Sequence, residues 1–145
     1  MSRTAAFVVD LPASCPPDEA LRRVLDLRAH SRLIPLTTVT PAVAADDLVT
    51  GLTFVGRTAV GRVGFDDPMR ILSLSFDPPA ARIVKEGRVI AGAINITVTP
   101  AATGSRVRWE QTVHLRWLPR PLQPVAARIL REGYRRVLSK LLDGG

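Results

Sequence analysis

Few side chains in this 145-residue sequence belong to types that do chemistry. His30 follows a helical stretch and is a general-base candidate, but no Cys, Asp or Glu is spaced to orient it. His114 falls on the polar face of a strand, between Arg106/Arg108 and Arg116, where solvent is the expected partner. Asp66 and Asp67 stand side by side before a proline, a pattern that reads as a turn more readily than as an acid/base pair. Cys15 is the single cysteine and has no histidine near it in sequence, so it is not read as a nucleophile. A lone cysteine excludes an internal disulfide and agrees with a reducing, cytoplasmic setting. The spacing of a metal site is absent, and GRVGFDDP and TGLTFVGR match no phosphate loop. No catalytic residue is assigned and no cofactor is expected.

The more informative polar residue is Gln111. Strand parity puts it among Val107, Trp109, Val113 and Leu115, so its amide is expected to be buried. A buried amide must find partners or cost about 1–3 kcal/mol. A backbone group, a water or a ligand oxygen would each serve. Trp109 and Tyr134 would supply an aromatic wall and a polar tip to a pocket there, or simply core. Gly133 and Gly92 fall on apolar faces, where a missing side chain leaves room for a ligand or lets a strand approach closely.

The elements that must position these residues follow from hydrophobic period. Leu122–Leu142 has helical spacing, with Leu122, Ala126, Ile129, Leu130, Gly133, Tyr134, Val137, Leu138 and Leu141 on one side. That apolar arc spans roughly 180°, wide enough to be held from several directions. Thr4–Leu11 reads as a first strand. Asp18 and Glu19 after two prolines open a helix that stops near His30, and Ser31–Pro35 forms a second short one. From Leu36 to Trp117 the signals are almost all β: Leu36–Pro41, Leu48–Ala59, Arg70–Asp77, Ala81–Glu86, Arg88–Thr99 and Arg106–Trp117. Gly61–Met69 reads as a turn-rich connection. Apolar-in, polar-out alternation in the last two strands indicates an antiparallel sheet with one wet face.

Length fits a single domain over residues 1–145. The apolar share is 46%, and no segment reaches the ~18 apolar residues of a membrane span. The N-terminus lacks a signal-like apolar run. Net charge is +7 and the isoelectric point near 11.1. The arginines are scattered along every element, so a solvated surface is expected and a nucleic-acid partner is not. Arg106, Arg108 and Arg116, or Arg128, Arg131 and Arg135, are placed to meet an acidic partner or anionic lipid.

The element order, the short helices ending at Leu33-Ile34-Pro35, GLTFVGRTAVGRVGFDDPM and the GSRVRWEQTV strand before the final helix resemble the START-related, Bet v 1-like (SRPBCC) superfamily of polyketide cyclase/dehydrase and lipid transport type. The resemblance covers the whole chain, and GLTFVGRTAVGRVGFDDPM is similar to the third-strand region of small bacterial members. It implies an α+β helix-grip fold, a curved antiparallel sheet wrapped around the long C-terminal helix. It also implies a cavity for a hydrophobic or amphipathic molecule such as a lipid, polyketide or quinone. The expected lining is Phe54, Leu74, Ile94, Trp109, Gln111, Ile129, Gly133, Tyr134 and, near the mouth, His30. A cyclase or dehydratase using the same cavity and a basic interaction module are the alternatives. A homodimer is left open.

Overall fold

β-branched and apolar residues at alternate positions dictate most of the chain's pairing. Among residues 5–34 and 36–143, which the computed structural model describes, seven strands form one antiparallel sheet. They are β1 (Ala5–Ala13), β2 (Thr37–Thr40), β3 (Thr53–Val60), β4 (Val63–Phe76), β5 (Pro79–Glu86), β6 (Ala91–Ala101) and β7 (Gly104–Val113). Their spatial order is β1-β7-β6-β5-β4-β3-β2, so β2 to β7 form a meander and β1 joins its far edge. Thr4 and Pro35, expected to open the first strand and close the second helix, lie outside the described residues.

Among the described residues three α-helices accompany the sheet: α1 (Pro17–Val24), α2 (Leu27–Leu33) and α3 (Gln123–Leu142). Pro17 begins α1, and Asp18 and Glu19 occupy its positively polarised first turn. The Asp26 carboxylate accepts from the Arg28 N–H and so caps α2. α3 packs against β1, α1 and α2. Arg131 donates to the Val8 carbonyl at 3.0 Å, and Arg23 donates to the Leu142 carbonyl at 2.5 Å. These bonds tie the helix to the sheet edge and its last turn to α1. The architecture is the expected helix-grip arrangement of a sheet, two short helices after the first strand, and a long C-terminal helix.

Two expectations need correcting. Gly61–Met69 is not a loop: most of it belongs to β4, paired from Val60↔Val63 to Thr53↔Arg70. Local turn signals there yield to cross-strand pairing over eight register positions. The final strand stops at Val113 rather than Trp117, which is 64% exposed. Of the two readings open for Gly92, ligand room or close strand approach, the second holds. Gly92 has φ +142°, and a Cβ there would stand 1.9 Å from the Thr112 carbonyl oxygen, so close backbone approach is what requires glycine.

Candidate ligand-binding site

The inward face of the sheet can be read rung by rung. Phe7, Gln111, Ile94, Ile83 and Ile71 are successive register partners from β1 to β4. On the next rung Gly92, Lys85, Met69 and Phe54 are partners, followed on β4 and β3 by Asp67 opposite Gly56. An apolar surface therefore contains a lysine and, one rung away, a carboxylate.

Lys85 is 3% exposed. Its Nζ donates to Asp67 Oδ2 at 2.5 Å and lies 3.5 Å from Met69 Sδ. Tyr134 reaches this group from α3, with Lys85 Nζ 5.9 Å from its ring centroid. Burial pushes the ammonium pKa down, but the Tyr134 phenol and the Asp67 carboxylate outweigh burial and hold it above the ordinary lysine value. Lys85 is therefore charged at neutral pH: a fixed donor, not a nucleophilic amine.

Gln111 is 2% exposed. The Trp109 indole N–H donates to its Oε1 at 3.0 Å, which sets the amide's orientation and turns Nε2 elsewhere. Gln111 Nε2 has no partner, nor does Asp67 Oδ1, and both are buried. The other buried amide, Gln123, is fully employed: Oε1 accepts from the Leu115 N–H at 3.1 Å, and Nε2 donates to the Leu115 and Leu118 carbonyls at 2.7 and 2.8 Å. Gln123 thus clamps the chain before α3 to its first turn, whereas Gln111 retains an unused donor.

Trp109, Gln111 and Tyr134 come together as the sequence suggests. The Tyr134 ring lies 5.5 Å from Trp109 and 5.6 Å from Phe7, centroid to centroid. Both rings pack on Tyr134, so wall and tip meet directly. Phe54 and Ile94 are buried on the same sheet face. Leu74 is half-buried, beyond a register shift between Ile71 and Ser73 that keeps both Ile71 and Leu74 on the inner side. His30 is half-buried, and its Nε2 contacts the Val24 carbonyl oxygen at 2.8 Å, which requires that nitrogen to carry the proton. Burial pushes its imidazole below the ordinary histidine value.

Two expected lining residues are not enclosed. Ile129 is 68% exposed, and Gly133 is exposed with open space around its missing Cβ. The inward row of α3 is Gln123, Ala127, Leu130, Tyr134, Leu138 and Leu141, and Ile129 stands about 100° from Leu130 around the helix. The true buried stripe is narrower than the apolar arc. Lys85 and Asp67 escaped sequence analysis because nothing local links positions 18 residues apart. Cys15 is buried and its thiol is pushed up by that burial, against a nucleophilic role.

A cleft of about 480 Å³ opens between β1 and α3, lined by residues including Phe7, Pro124, Ala127 and Arg128. Phe7 is the register partner of Gln111 and contacts Tyr134, so this opening adjoins the polar set. A second cleft, of about 680 Å³, lies between α2 and the edge strand β2, lined by Ser31, Ile34, Thr38 and Arg57 among others. Among the described residues no group of three or more metal-ligand side chains converges, and no helix is long and apolar enough to cross a membrane.

A family model described as polyketide cyclase/dehydrase and lipid transport matches residues 4–143. No curated protein matches the chain by sequence. Among solved structures, protein CV1439 from Chromobacterium violaceum is similar with a TM-score of 0.72 at 16% identity, covering 96% of each chain. Ara h 8.0201 gives 0.70 at 12%, over 97% of this chain and 99% of its own. A point mutant of Thalictrum flavum norcoclaurine synthase, in complex with a transition-state analogue, gives 0.63 at 11%, over 98% and 97%. Likeness at such low identity speaks for the fold.

Proposed function

This chain belongs to the polyketide cyclase/dehydrase and lipid transport family, of the START-related, Bet v 1-like superfamily, and we propose that it binds a small hydrophobic or amphipathic molecule between the sheet and α3. The observation that carries this is the buried, unpartnered Nε2 of Gln111, held in that orientation by Trp109. An orphaned buried donor costs about 1–3 kcal/mol. A ligand oxygen accepting from it relieves that cost, while Phe7, Trp109, Ile94 and Tyr134 cover the apolar body. The cleft between β1 and α3 is the route in, and the Tyr134 ring is the side chain that must give way.

The charged Lys85 beside Tyr134 favours a second reading, in which the same site steadies negative charge developing on a carbonyl oxygen, as a cyclase or dehydratase would need. Lys85 would then be a donor to that oxygen and Asp67 the group that fixes the ammonium.

Native mass spectrometry of freshly purified protein tests the first reading, combined with titration of a fluorescent apolar probe. Expected are a co-purified small molecule or probe uptake, competed by it, and weaker binding in Gln111→Leu. Protein that purifies empty and takes up no probe would overturn it. The second reading requires that Lys85→Met abolish turnover of a cyclising substrate while retaining its binding.

A further inference from the structure

We infer that the N-terminal half of α3, with the segment that leads into it, docks on an anionic lipid bilayer. Trp117 is 64% exposed, Leu122 47%, Val125 53% and Ile129 68%. Leu122, Val125 and Ile129 follow at i, i+3 and i+7, so they form one stripe down the outer flank of the helix. Trp117 lies five residues before this stripe, so four large apolar side chains are open to water within thirteen residues, a local concentration unlike singly scattered surface apolar residues.

Charge identifies the occupant. Of the twenty basic residues, seven lie between Arg116 and Lys140, against one acidic residue, Glu132. The rest of the chain carries thirteen basic and twelve acidic residues and is nearly neutral. The net charge of +7 therefore resides almost entirely on this segment, not evenly over the surface as the sequence first suggested. Glu132 is itself occupied by Arg131 at 3.0 Å. Arg116, Arg128 and Arg136 are exposed around the apolar stripe.

A second copy of the chain would bring like charges face to face across a two-fold contact, which opposes pairing through this patch. Nucleic acid would satisfy the arginines but leave the four apolar side chains in water. A bilayer with anionic headgroups satisfies both: the apolar stripe enters the headgroup–acyl boundary while the arginines meet phosphate, and an interfacial tryptophan is favoured there. Docking here would bring α3 and the neighbouring cleft to the source or destination of an apolar ligand, though the inference stands without one.

Vesicle flotation tests it, with phosphatidylcholine alone against the same lipid containing about 30 mol% phosphatidylglycerol, at about 0.15 M salt. The wild-type chain is expected to float with the anionic vesicles and not with the neutral ones. Val125→Ser/Ile129→Ser should reduce that binding by at least about tenfold without lowering the thermal midpoint, since both side chains are exposed. Arg128→Gln should reduce it by about fivefold, as expected for one basic residue at an anionic surface. Absence of flotation overturns the inference. So does a tight complex with double-stranded DNA under the same salt in place of vesicle binding, or a sedimenting dimer that Val125→Ser/Ile129→Ser dissolves.

Discussion

Trp109 and Gln111 project from the same face of one strand, and the indole N–H of the first, 3.0 Å from the amide oxygen of the second, decides where the amide nitrogen points. The pair behaves as a unit. Gln111→Leu removes an unsatisfied donor but orphans the indole, at a cost of about 1–3 kcal/mol. Trp109→Phe/Gln111→Leu should therefore lose less stability than its two single variants combined, with a coupling of about 0.5–3 kcal/mol in urea denaturation. Simple additivity would show that the two side chains do not act together.

Lys85 and Asp67 set a second test. Lys85→Met leaves a largely buried carboxylate without its cation, and a loss of about 3–5 kcal/mol is expected. Lys85→Met/Asp67→Leu removes both charges and should recover most of that loss. Losses for Lys85→Met and Asp67→Leu that simply add in the double variant would mean that the pair is not coupled.

His30 gives the protein a dependence on pH. Its folded-state pKa lies below the ordinary value of 6.5, chiefly because burial disfavours the charged ring. The unfolded chain therefore takes up a proton first as pH falls. The stability contributed by neutral His30 is complete above pH 6.5 and is lost progressively as pH drops from there through the lower folded value. His30→Gln keeps a donor for the Val24 carbonyl and cannot titrate. Guanidine midpoints between pH 7.5 and 5 should slope downward for the wild type and run flatter for the variant; parallel slopes would count against this role.

Two glycines make opposite predictions. Gly92→Ala would push a methyl into the Thr112 carbonyl from a left-handed backbone, and a loss of about 3 kcal/mol or more is expected. Gly133→Ala meets nothing and removes a flexible residue from mid-helix, so the thermal midpoint should rise with a gain of about 0.5–1 kcal/mol. Loss of apolar-probe binding in Gly133→Ala would restore that position to the ligand site.

Period and parity made most of the fold legible. The alternation Val107, Trp109, Gln111, Val113 placed Gln111 inside, and the burial of all four agrees. Sequence could not show that Trp109 would occupy one end of the amide and leave the other free, because that depends on rotamer and packing. Nor could it pair Lys85 with Asp67, whose contact exists only once β4 and β5 are in register. The phase of α3 was off at its edge for a related reason: apolar spacing gives the width of a greasy arc, but the neighbouring strand and helices decide which part is covered. Ile129 shows the difference, apolar by pattern and open to water in place.

Pairing of β1 with β7 also sets the order of assembly. On the ribosome, β1 emerges before the other six strands, yet its hydrogen-bonding partner is encoded roughly a hundred residues later. The meander from β2 to β7 is built from neighbouring hairpins and can zip as it is made; closure of the far edge must await β7. Until then Phe7, Val9 and Leu11 lack the partner strand that covers their edge, so the strand made ahead of the other six is the one with most need of a chaperone.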